Sequence, residues 1–168
     1  LSCGQRSQVT LGLILAQQAD LMILDDYSLG LDVGYRRLFL EFLRDYVRRR
    51  ETTVLLTSHV VQELENLLDS LIVIHRGTVI ANERYDDFMQ SFYCYELPLS
   101  AAGDALRADD GPLLRVEKRV DRTMLFSRAA PQEMSSFLDA RGLVGPDGPP
   151  VPVVMSFEDA FVGLTGRY

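Results

Sequence analysis

Two adjacent carboxylates, Asp25 and Asp26, end the short apolar run Leu21-Met22-Ile23-Leu24. A carboxylate just beyond a buried parallel strand lies at the edge of the sheet where open α/β folds bind their ligands. In that position Asp25 could hold a Mg²⁺ ion and Asp26 could orient or deprotonate a water molecule. Taken alone, the pair fits a solvated loop or a helix cap equally well. Further groups suited to phosphate follow in a fixed order. Ser2 and Gly4 precede a helical segment whose first free N–H groups would form an anion pocket. Ser28-Leu29-Gly30-Leu31-Asp32 comes directly after the carboxylates, and Thr57-Ser58-His59 ends the next apolar run. A lone histidine after a strand is more often structural, but its company here argues for a role at the site.

The elements that must carry these residues can be read from hydrophobic periodicity. Residues 5–18 crowd apolar side chains as a well-buried helix does, and residues 21–24 form a continuous run suited to a strand buried on both faces. In residues 32–50, Tyr35, Leu38, Phe39, Phe42, Leu43, Tyr46 and Val47 follow helical spacing. Asp32 can cap that helix, and Arg48, Arg49 and Arg50 suit the negative end of its dipole. Residues 53–57 read as a strand, 60–68 as a helix and 70–75 as a third strand. This alternation implies a three-layer α/β core with parallel strands. Arg76-Gly77 turns into an antiparallel companion at 78–81, and a short helix follows at 85–90.

The composition then shifts. Strands are expected at 92–97, 113–120, 123–128 and 151–154, with helices at 101–107 and 131–140 and a closing helix at 156–164. The order β-α-β-β-α-β is that of a small α+β, ferredoxin-like domain. The chain is therefore expected to divide into 1–84 and 85–168.

Bulk properties narrow the function. The 168 residues carry a formal net charge of -7, which opposes broad contact with a phosphate backbone, so nucleic acid is not an expected partner. Cys3 and Cys94 show neither disulfide nor zinc-site spacing, which fits a reducing cytoplasmic setting. No stretch reaches the roughly 18 apolar residues of a membrane span. The chain starts at Leu1 without an initiator Met or signal-peptide pattern and reads as a fragment.

Residues 1–84 resemble the C-terminal part of an ABC-transporter nucleotide-binding domain. Leu1-Ser2-Cys3-Gly4-Gln5 resembles the signature motif, Leu21 to Asp26 the Walker B strand with its following acid, Ser28 to Asp32 the D-loop, and His59 the switch histidine. The tail Ser156-Phe157-Glu158-Asp159-Ala160-Phe161 with Leu164-Thr165-Gly166 resembles the end of drug- and polysaccharide-exporter subunits. The resemblance implies part of a P-loop NTPase core that uses ATP and Mg²⁺. It implies a head-to-tail dimer with a second ATPase subunit and a transmembrane permease as partners, on the cytoplasmic face of the cell membrane. Ser2, Cys3, Gly4 and Gln5 would meet nucleotide in trans. Asp25 would bind the metal, Asp26 would polarise water, His59 would sense the γ-phosphate, and Asp32 would belong to the nucleotide-binding set.

The sequence departs from that pattern in several places. Cys3 replaces a Gly, Asp26 replaces the usual Glu, and Tyr27 replaces the usual Pro. Asp is one methylene shorter than Glu, and a displacement of about 1 Å at a reacting group can cost on the order of 10²-fold in rate. No GxxxxGK[ST] phosphate loop occurs, and no Lys precedes Lys118, so this chain alone should not bind ATP tightly. Two other readings stand beside the transporter ATPase. One is a non-catalytic regulatory or dimerisation module centred on the C-terminal domain. The other is a DNA-repair or chromosome-maintenance ATPase with the same motifs, against which the exporter-like tail argues.

Overall fold

The computed structural model describes residues 2–99, 103–144, 148 and 150–166. Leu1, the first residue of the signature-like segment, lies outside the described residues. The chain divides into two compact units, Leu1–Leu67 and Leu68–Tyr168. The division falls earlier than the composition shift near residue 84.

In the first unit, helix α1 (Cys3–Ala16) opens on a capping box: the Ser2 hydroxyl accepts the Gln5 N–H and the Gln5 side chain accepts the Ser2 N–H. Strand β1 (Leu21–Asp25) leads into helix α2 (Val33–Arg50) and strand β2 (Thr53–Thr57). Asp32 caps α2 by accepting the Tyr35 N–H at 3.0 Å, and Arg48, Arg49 and Arg50 occupy its last turn, both as periodicity and charge predict. Glu51 then turns the chain out of the helix with φ 53°. β1 and β2 pair in parallel, with Leu21 opposite Thr53 and Asp25 opposite Thr57.

Burial alternates along β1. Met22 and Leu24 are buried, whereas Leu21 and Ile23 are 55% and 64% exposed, so the expected burial of both faces is not found. A single βαβ crossover supplies one helix to one face of its sheet, and β1-α2-β2 is such a unit. The expectation of a deeply buried α1 also fails: Leu11 is buried but Val9 and Leu13 are exposed. α1 is fastened to α2 near its end, where the Tyr46 hydroxyl donates to the Leu15 carbonyl at 3.1 Å.

The helix expected at 60–68 is only a 3₁₀ turn, Val61–Glu63. Val60 stands at its start without a side-chain acceptor, and a helix this short gains too few hydrogen bonds to offset nucleation.

In the second unit, β3 (Ser70–His75) pairs antiparallel with β4 (Thr78–Arg84) through the two-residue turn Arg76-Gly77, where both residues have positive φ. Parallel pairing among the described residues is thus confined to β1 and β2. Helix α3 (Tyr85–Ser91) precedes a sheet of β5 (Tyr93–Pro98), β6 (Leu113–Lys118) and β7 (Arg122–Ser127), ordered β5-β7-β6 and wholly antiparallel. Leu125, Tyr95 and Leu113 join Met134 and Leu138 of α4 (Pro131–Asp139) in one buried cluster. Phe126, which alternates with Leu125, meets Gly163 of α5 (Phe157–Thr165): a Cβ at Gly163 would lie 2.2 Å from the Phe126 ring.

Two expected elements of this unit are reduced. The first crossover helix is a 3₁₀ turn, Gly103–Ala105, while residues 101 and 102 lie outside the described set. The strand expected at 151–154 makes one isolated bridge, Pro152 opposite Tyr95. Proline has no N–H to donate, so Pro150 and Pro152 limit how far a ladder can extend there.

Candidate functional site

The ends of β1 and β2 bring Asp25 and Thr57 side by side. The Thr57 hydroxyl donates to Asp25 Oδ1 at 2.5 Å and accepts the Asp26 N–H at 3.0 Å. One side chain thereby orients the first carboxylate and anchors the backbone of the second. Asp26 lies in the left-handed region with φ 43°, a conformation that Asp tolerates better than most residues. The Ser28 hydroxyl donates to Asp26 Oδ1 at 3.1 Å, and His59 Nδ1 lies 3.5 Å from the same oxygen. The switch-like histidine and the carboxylate that would polarise water are therefore neighbours, although their segments are far apart in sequence.

The signature-like segment meets the loop after β1. The Ser7 hydroxyl donates to the Leu29 carbonyl at 3.0 Å. A Cβ at Gly4 would lie 2.7 Å from the Gly30 carbonyl oxygen, and one at Gly30 would lie 2.9 Å from Cys3 Sγ. Both glycines are thus needed for close packing within the chain. Beside this contact is a cleft of about 310 Å³ whose walls include Cys3, Arg6, Ser7, Asp25 and Asp26.

Of the residues singled out in the sequence, Cys3, Asp25 and Asp26 line this cleft, whereas Ser2, Gly4, Gln5, Asp32 and His59 do not. Ser2 and Gln5 are engaged with each other in the capping box, and Asp32 caps α2. Sequence reasoning missed Arg6, the cation among the lining residues, and Thr57 and Ser28 as carboxylate partners. No local signal pointed to Thr57, since its hydroxyl reaches the terminal carboxylate only through the pairing of two distant segments.

The donor set suits one kind of metal. Among the described residues, no group of three or more His, Cys, Asp or Glu side chains could hold an ion. Mg²⁺ is commonly bound through one or two carboxylates, with water and substrate phosphate completing its octahedron. Asp25, an oxygen ligand already oriented by Thr57, fits that role and would not by itself retain an ion.

No family model matches the chain. Over 170 aligned residues, 99% of the chain, it is 32% identical to the Nod factor export ATP-binding protein I of Rhizobium meliloti and covers 49% of that protein. The corresponding Bradyrhizobium protein is 32% identical over the same share of the chain, which covers 54% of it. The ABC transporter ATP-binding protein NatA of Bacillus subtilis is 34% identical over 92 residues, 55% of this chain and 35% of that protein. The chain is a homologue of ABC-transporter ATP-binding proteins. It spans about half the length of the Nod factor export proteins it matches.

In this homologue of ABC-transporter ATP-binding proteins, Cys3 of the signature-like segment and Asp25 and Asp26 of the Walker-B-like segment line one cleft, and Ser7 of α1 is bonded to Leu29 of the D-loop-like segment. No helix among the described residues is long and apolar enough to cross a membrane.

Proposed function

We propose that this chain supplies part of the ATP site of a transporter subunit that hydrolyses ATP and drives transport through a partner permease. The observation that carries this reading is the convergence of Asp25, Asp26 and His59 at the ends of β1 and β2, with His59 Nδ1 3.5 Å from Asp26 Oδ1. Phosphoryl transfer asks little of a protein beyond positioned charge, backbone N–H groups, a metal and an oriented water.

In this reading Asp25 holds Mg²⁺, Asp26 orients the attacking water and His59 contacts the γ-phosphate. When bound, the metal neutralises charge that develops on the phosphate oxygens. Ser2, Cys3, Gly4 and Gln5 present the start of α1 to nucleotide on a second ATPase subunit, and Asp32, at the cap of α2, belongs to the same nucleotide-binding set. The phosphate loop comes from a part of the subunit outside these 168 residues. Support for that division is the span of about half the relatives' length and the lack of GxxxxGK[ST] in the sequence. The relatives named for Nod factor export make an export role the favoured direction, on the cytoplasmic side of the membrane. Residues 85–168, with strand order β5-β7-β6 and Pro152 beside β5, are proposed to be a reduced ferredoxin-like accessory domain.

Calorimetric titration with Mg-ATP tests the division of the site. The 168-residue chain alone should show no micromolar binding, while the full-length subunit should bind. Micromolar affinity of the isolated chain would contradict the reading.

A further inference from the structure

Tyr27 follows Asp26 at the point where the family pattern has proline. Its ring is 5% exposed and stacks on Phe39 of α2, with centroids 5.5 Å apart. Its hydroxyl donates to Glu63 Oε2 at 3.3 Å, and Glu63 Oε1 pairs with Arg36 of α2 at 3.4 Å. Glu63 lies on the short turn just beyond His59. Two loops therefore meet twice. Thr57 joins them at the strand ends through the Asp26 N–H, and Tyr27 joins them again through Glu63. Asp26 and His59 face each other on these same two loops.

We propose that Tyr27, Glu63 and Arg36 form a positioning cluster that fixes the approach of Asp26 to His59. The proposal rests on the ATPase reading of the site. Proline restrains a loop through its own backbone, by locking φ. Tyr27 does so through its side chain, tying the loop to α2 by stacking and to the histidine loop by a hydrogen bond. Burial, and then the charge of Glu63, push the phenol well above its ordinary range, so it stays a donor well into the alkaline range. Arg36 holds the acceptor in place and leaves its second oxygen for Tyr27. Its hydrogen bond and ion pair run to the His59 loop and to α2, so its effect on catalysis is exerted through the spacing of Asp26 and His59.

The test is steady-state ATP hydrolysis by the full-length subunit, each variant assayed well below its own unfolding temperature. Tyr27→Phe keeps the stacked ring and removes the donor. It should lower kcat on the order of tenfold, as loss of a hydrogen bond to a charged group does when it is expressed in the transition state. KM for Mg-ATP should be unchanged, because the lost contact does not bind nucleotide. Glu63→Ala should lower kcat similarly, Glu63→Gln should restore most of it by keeping an acceptor oxygen, and the double variant Tyr27→Phe with Glu63→Ala should lose no more than the worse single variant. The Glu63 pair reads the same contact should Tyr27→Phe fold poorly. A kcat for Tyr27→Phe within about twofold of wild type, or losses that simply add, would overturn the proposal. An inactive wild-type subunit would overturn the ATPase reading and this cluster with it, whereas an active wild type with an unaffected Tyr27→Phe overturns the cluster alone.

Discussion

Thr57 and Asp25 stand opposite each other at the ends of the parallel pair β1 and β2, and the Thr57 hydroxyl donates to Asp25 Oδ1 at 2.5 Å while it accepts the Asp26 N–H at 3.0 Å. The carboxylates proposed to bind the metal and to orient water are thus set by one hydroxyl. Thr57→Val keeps the shape and removes both contacts. Loss of a hydrogen bond to a charged group costs about 1.5 to 3 kcal/mol, so the Mg²⁺ concentration for half-maximal ATPase activity of the full-length subunit should rise by roughly ten- to a hundredfold. A magnesium titration of the two proteins checks this.

Asp26 is held by Ser28 and lies 3.5 Å from His59. Lengthening its side chain by one methylene should bring the carboxylate closer to the attacking water. Asp26→Glu is therefore expected to raise kcat in the full-length subunit, at the cost of a small drop in Tm, since Glu accepts the left-handed backbone at φ 43° less readily than Asp. A turnover equal to or below wild type would refute the geometric argument.

Much of the framework was legible in the sequence for reasons specific to each element. α2 has seven apolar positions in helical register, a capping Asp32 and three terminal arginines, and all of these cues agree. β1, β2 and β3 are short apolar runs bounded by polar residues. What the pattern could not tell was which neighbour covers each apolar face. Leu21 and Ile23 look as apolar as Met22 and Leu24, yet they lie on the open face of β1. The contacts that shape the site, Thr57 to Asp25 and Tyr27 to Glu63, join residues more than thirty positions apart in chain and carry no local signature. Residues 60–68 carry apolar side chains at helical spacing but no side-chain cap, and only a 3₁₀ turn forms there.

Cys3 and Gly30 form a compensated pair. Where the family pattern has Gly, Cys3 brings its sulfur to a place that a side chain at Gly30 would need, with 2.9 Å between Sγ and such a Cβ. Gly30 also has φ 77°. Gly30→Ala should destabilise the protein by about 1 to 3 kcal/mol through overpacking and strain. Adding Cys3→Gly should recover the steric share and leave the conformational share, which a double-mutant cycle of denaturant unfolding would resolve.

Stability should also depend on alkaline pH. Burial, followed by the charge of Glu96, pushes the Cys94 thiol from its ordinary 9.0 up to about 12. Burial pushes the Tyr95 phenol from 10.0 up to about 12. The folded protein thus keeps protons that the unfolded chain releases, so the stability contribution is complete below about pH 9 and is lost as the pH rises towards 12. Urea midpoints should be level between pH 7 and 8 and fall by pH 10. An alkylating agent at pH 8 should label exposed Cys3 and spare buried Cys94.

Asp26 is proposed to orient water for ATP hydrolysis in the subunit to which this chain belongs. The most direct measurement compares the full-length wild type with Asp26→Asn, by Mg-ATP binding and by release of inorganic phosphate. Binding should be equal in the two proteins and hydrolysis by Asp26→Asn reduced on the order of 10²-fold or more, the scale of a general base. Unchanged phosphate release by Asp26→Asn, or a wild type that binds Mg-ATP without turning it over, would contradict it.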